Sequence, residues 1–256
     1  MREFFRARRL EVKDQISEAD HEKYKEEVRS LVEEAGEKAN LFAREKLQPH
    51  FQNFQNVGVH VSKTNIISFK RGEDLFREYY HPASKNIFSA TGSLIKRYLE
   101  VHSKTGVSLR NFIYINIMHE FAHHLQHQYT VEKRIFTLNP EKQFKSRREW
   151  LEDCGDYLAG ALLASLESTN ISDAEFQSIR HAYFLLGVKA GLYSHSSVQR
   201  AIFAYKRRVN RKLSGHNTQA QRAEFFEKGY REKRIVDALK TNPMKPFKLE
   251  SSATSA

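Results

Sequence analysis

The chain is 256 residues long, 40% hydrophobic, and carries 42 Lys and Arg against 31 Asp and Glu, a formal charge of +11. Its length allows one well-buried core, alone or with an appendage. A single cysteine, Cys154, excludes an internal disulfide, and no run approaches the ~20 consecutive apolar residues of a bilayer span.

The N-terminus is basic, but charged residues follow where the apolar stretch of a signal peptide should stand. A cytoplasmic location is therefore the expectation, with leaderless export left open. Residues 1–55 read as an N-terminal helical region. Tyr24, Val28, Leu31, Val32, Ala35, Ala39 and Phe42 recur at helical spacing, Ser17-Glu18-Ala19-Asp20 has the pattern of a capped start, and Pro49 closes the run. This helix, or pair of helices, is expected to pack on the rest of the chain; the alternative is an apolar stripe that binds a partner or the chain's own cleft. Residues 56–235 read as the main domain. Strand patterns occur at 57–61 and 65–70, and a third at 85–89 is either an edge that an extended peptide could join or an interior strand. The fold class is α+β and mostly helical, with this small sheet ahead of the helix that follows.

Residues 111–118, Asn-Phe-Ile-Tyr-Ile-Asn-Ile-Met, are apolar at nearly every position and lack Gly and Pro, as in a helix buried on most sides. They run straight into His119-Glu120-Phe121-Ala122-His123. Positions i and i+4 share a helix face, so His119 and His123 can direct two imidazole nitrogens at one Zn²⁺. Glu120, about 100° round the helix, can reach a water on that metal. His127 is about 12 Å along the axis from His119, too far for the same ion, and is expected to be partly exposed; His124 points off the ligand face. The longer pattern H-E-x-x-H-x-x-G-x-x-H fails at Gln126 and Tyr129, which excludes metzincin chemistry.

A third ligand must come from elsewhere. Residues 149–164 read as a second helix, in which Glu152 and Asp156 are spaced i, i+4, as are Glu149 and Asp153. Either pair suits a zinc site: one carboxylate as ligand, and one a turn later to accept the free ring N–H of a ligating histidine. Cys154 between them reads as a small packing residue. Helical patterns continue over 175–192 and 197–213, and residues 236–256 are expected to form a flexible tail. Lys206-Arg207-Arg208, Arg211, Lys212 and the basic N-terminus support a rival reading, a nucleic-acid-associated or partner-binding protein whose zinc site is structural or inactive. Against it, no helix-turn-helix, zinc-finger or RNA-binding signature is present, and a structural zinc site normally has four protein ligands.

These blocks resemble the neutral zinc metallopeptidases of bacteria, a family of the gluzincin type. The family's H-E-[FYV]-[GA]-H-H-x-Q is similar to His119 through Gln126, and its E-x-x-A-D-x-x-A-G to Glu152 through Gly160, with Gly155 in place of Ala. H-G-[ST]-x-x-Q-R followed by F-x-x-G-[FY] is similar to His216 through Arg222 and Phe226 through Tyr230, with Asn217 replacing the Gly. Tyr80-His81-Pro82 resembles the family's Y-C-P, with His81 where Cys is frequent. The resemblance implies a zincin-like domain and selects the Glu152 register, so that His119, His123 and Glu152 hold Zn²⁺ and Asp156 orients one of the histidines. It also implies a zinc metalloendopeptidase acting on a peptide or protein substrate, with Glu120 as general base. His216 is the candidate donor to the developing oxyanion, with Tyr193 and His195 behind it. A structural histidine in a helix-entry turn is the alternative for His216.

Overall fold

The computed structural model describes residues 17–62, 78–132, 148–166, 171–188, 219–242, 245 and 247–249. Ser17 caps the first helix, α1 (Glu18–Phe42): its hydroxyl accepts the Asp20 backbone N–H at 3.0 Å, and the acidic Glu18 and Asp20 sit at the positive end of the helix dipole. Val28, Val32, Ala35, Gly36 and Ala39 line the buried face. A π-helical turn at Ala43–Leu47 and a 3₁₀ turn at Gln48–His50, which contains Pro49, bring the helical run to its end.

Three strands follow: β1 (Gly58–Ser62), β2 (Tyr79–His81) and β3 (Asn86–Ala90). The sheet order is β1-β3-β2, with β1 parallel and β2 antiparallel to β3. Strand β3 is thus interior, and the expected peptide-joining edge at 85–89 is taken on both sides. The expected strand at 65–70 lies outside the described residues.

Strand β3 leads directly into α2 (Thr91–Thr105), which is followed by α3 (Leu109–Glu132) and α4 (Arg148–Leu166). Then come α5 (Asp173–Val188), α6 (Gln219–Glu232) and α7 (Ile235–Lys240). The pattern at 197–213 falls on residues that are not described. Helix α3 is the centre of the packing, with α1, α4 and α5 against it, and every residue from Asn111 to Met118 is buried. Burying each large apolar side chain here contributes roughly 1.5–3 kcal/mol. The two amides within this run are satisfied: Asn111 donates to Glu175, while Asn116 donates to the Phe112 carbonyl and accepts from Arg97. No described helix is long and apolar enough to cross a membrane.

One hydrophobic cluster joins Val28 and Leu47, Ile87, Phe112, Leu158, Ile235 and Phe247. The boundaries expected after 55 and 235 therefore mark no change of core. Within 236–256, where a flexible tail is expected, the described part packs on the core: α7 buries Ile235, Ala238 and Leu239, and the Phe247 ring packs on Tyr157 and Phe225.

Helices α4 and α6 approach until their backbones touch. A Cβ on Gly160 would collide with the Phe226 carbonyl, and one on Gly229 with the Tyr157 carbonyl. Gly160→Ala or Gly229→Ala is expected to destabilise the fold by roughly 1–3 kcal/mol or more, read as a lower midpoint in urea. An unchanged midpoint for both variants would contradict this packing.

Candidate metal centre

With Met118 and Phe121 fully buried on α3, His119 and His123 emerge together toward α4, their ring centroids 4.7 Å apart. Glu152 on α4 meets them, its Oε2 3.5 Å from His119 Nε2 and 3.8 Å from His123 Nε2. One ligand atom from each of the three lies within 4.8 Å of the others, so the group could hold a metal ion. Donors placed about 2.1 Å from a tetrahedral ion stand about 3.4 Å from one another, so closure requires only small adjustments. His119, His123 and Glu152 retain 14%, 13% and 14% side-chain exposure, so an ion there would not be sealed from solvent. Of the competing register, Asp153 is buried and Glu149 has a side chain outside the described residues.

Space for this approach comes from Gly155, since a Cβ there would lie 3.0 Å from His123 Cε1. Alanine at this position, as in the resembling pattern, would press on the ring, and glycine removes that contact.

A second set of side chains fixes His119 from behind. Its Nδ1 lies 2.9 Å from the Tyr183 oxygen and 3.2 Å from Asp156 Oδ1. The Tyr183 hydroxyl donates to Asp156 Oδ1 at 2.5 Å, and Arg222 donates to both Asp156 oxygens from Nε and Nη2, each at 2.8 Å. Asp156 is fully buried, yet each of its oxygens is paired. Burial alone would raise its pKa, but the charge and hydrogen bonds of Arg222, joined by His119, pull it down to about 2. Burial alone would lower the pKa of His119; the Asp156 and Glu152 carboxylates outweigh it and push the value up to about 10. The surroundings thus favour positive charge at His119, whether a proton or a metal cation supplies it.

Glu120 stands beside the group with its own support: its Oε2 accepts the backbone N–H of Tyr80 on β2 at 2.7 Å. Burial raises its carboxyl pKa, and the neighbouring His119 and His123 partly offset that rise. The Tyr80 phenol is in turn bracketed by His127 Nδ1 at 2.9 Å and His124 Nδ1 at 3.2 Å. His124 Nε2 donates to the Gln55 carbonyl at 2.8 Å, and burial lowers the His124 pKa to about 4, so the ring is neutral. His127 is therefore not partly exposed as expected but 8% exposed, because β2 lies against that side of α3.

Of the residues singled out from sequence, His119, Glu120, His123, Glu152 and Asp156 come together, and Asp156 pairs with His119 in particular. His216, Tyr193, His195 and the basic run at 206–212 lie outside the described residues. Cys154 is buried, its thiol pushed up to about 12 by that burial and donating to the Ala238 carbonyl, as suits a packing residue. Sequence reasoning missed Tyr183, and it matched Arg222 to a pattern without a role. It also passed over Gln126, whose Oε1 is 2.9 Å from His123 Nδ1 and whose i+3 spacing from His123 was a usable signal. Comparison with family models, curated proteins and solved structures gave no match.

Proposed function

We propose that this chain is a zinc-dependent metallopeptidase that hydrolyses peptide bonds, with His119, His123 and Glu152 as the zinc ligands and Glu120 as general base. One observation carries the reading: a carboxylate held by the Tyr80 amide stands beside a three-donor group that could hold a metal. Two imidazoles and one carboxylate match the donor set of catalytic zinc sites, which keep a coordination position open, whereas structural sites use four protein ligands. When bound, zinc supplies Lewis acidity that acidifies water and polarises a carbonyl.

The chain's own residues do the rest. Glu120, in its burial-raised state, takes a proton from water and passes it to the departing amine. The Tyr80 N–H holds one carboxylate oxygen and so fixes where the general base stands. Asp156 and Tyr183 keep the His119 ring oriented with Nε2 toward Glu152, and Arg222 neutralises the carboxylate that does so. His216, which lies outside the described residues, is the candidate donor to the oxyanion only through the sequence resemblance, and a structural histidine is its alternative role.

Incubation of the purified full chain with unfolded casein tests this reading. Cleavage is expected to stop on treatment with a strong chelator and to return on addition of zinc alone. A chelated sample that cleaves as fast as the untreated one would refute it.

A further inference from the structure

We propose that Gln126 is a positioning residue that couples two of the metal ligands, His123 on α3 and Glu152 on α4, into one unit; the proposal rests on the metal reading above. Gln126 has no solvent exposure, so its amide must find its partners inside the protein. Its Nε2 donates to the carbonyl of Leu151 at 2.9 Å, the residue immediately before Glu152. That bond turns Oε1 the other way, to 2.9 Å from His123 Nδ1.

An amide oxygen can only accept, so His123 carries its proton on Nδ1 and presents a bare Nε2 to the ion. One side chain therefore sets the tautomer of a ligand on one helix and pins the turn of the other helix from which the third ligand projects. His119 is served differently, by Tyr183 and Asp156. Loss of Gln126 would free the His123 ring and release the α4 turn together, whereas loss of a purely space-filling residue would do neither.

The test uses the full chain as wild type, Gln126→Leu and Gln126→Glu. Zinc affinity is measured by competition with a chromophoric chelator, the visible spectrum of added cobalt(II) reports ligand geometry, and far-UV circular dichroism checks the fold. Gln126→Leu is expected to bind zinc about 10–100-fold more weakly, with a changed cobalt spectrum at unchanged helix content. Gln126→Glu keeps an acceptor for His123 and loses the donor to Leu151, so it should recover part of that affinity. Wild-type affinity and an unaltered cobalt spectrum in Gln126→Leu would overturn the proposal. Should that variant not fold, Gln126→Glu decides: weaker zinc binding than wild type supports the coupling and equal binding overturns it. A wild-type chain that takes up no zinc overturns the metal reading, and this proposal with it; zinc uptake indifferent to both variants overturns the proposal alone.

Discussion

Replacing Glu120 with Gln is expected to slow peptide hydrolysis roughly 10²–10⁴-fold while zinc content stays at the parent level. The substitution is nearly isosteric, and the amide oxygen can still accept the Tyr80 N–H that holds Oε2 at 2.7 Å. What disappears is the basic oxygen, since an amide cannot take a proton from water near neutral pH. The result separates chemistry from binding because Glu120 is not one of the three clustered donors. Hydrolysis that continues at the parental rate, with zinc bound, would remove Glu120 from the mechanism.

Glu152→Ala is expected to have the largest effect on the metal itself. Loss of a histidine's outer partner typically weakens binding 10–100-fold, and loss of the Glu152 oxygen that stands 3.5 Å and 3.8 Å from the two imidazoles should exceed that range. Glu149→Ala, three residues earlier on α4, should leave zinc content and affinity at the parental level. Metal analysis of both variants beside the wild type decides the point. Zinc lost from the Glu149 variant and retained in the Glu152 variant would mean the wrong carboxylate has been named.

The legible and illegible parts of the centre divide by the range of the interactions that make them. The pairing of His119 with His123 needs only i, i+4 geometry on one helix, and the apolar run before it announces that helix. The choice between Glu152 and Glu149 is of another kind, because both registers satisfy the same spacing. Packing of α3 on α4 brings Glu152 to the imidazoles, with Gly155 giving the rings their room. Tyr183 comes 64 residues after His119 and Arg222 comes 66 after Asp156, and neither carries a local pattern that marks it as a partner. His127 was misjudged for the same reason: its own helix offers no sign that Tyr80 will cover it.

The fold shows the same division. Apolar periodicity and Ser17 capping located α1, and the run at 111–118 located the buried start of α3, because both are properties of consecutive residues on one helix. That 85–89 would be an interior strand depended on β1 and β2 closing on either side of it. That the C-terminal segment would join the core depended on Phe247 meeting Tyr157 and Phe225.

By itself, then, the sequence determined α1, the buried start of α3, the paired histidines and the adjacent glutamate, since backbone geometry carries side-chain direction over one or two turns. The approach of Glu152 to the two imidazoles, the Asp156–Tyr183–Arg222 support, the Tyr80 grip on Glu120 and the interior place of β3 were decided only by tertiary structure. Each depends on two distant segments being buried against one another, and a pattern of neighbours along the chain does not encode which segments those are.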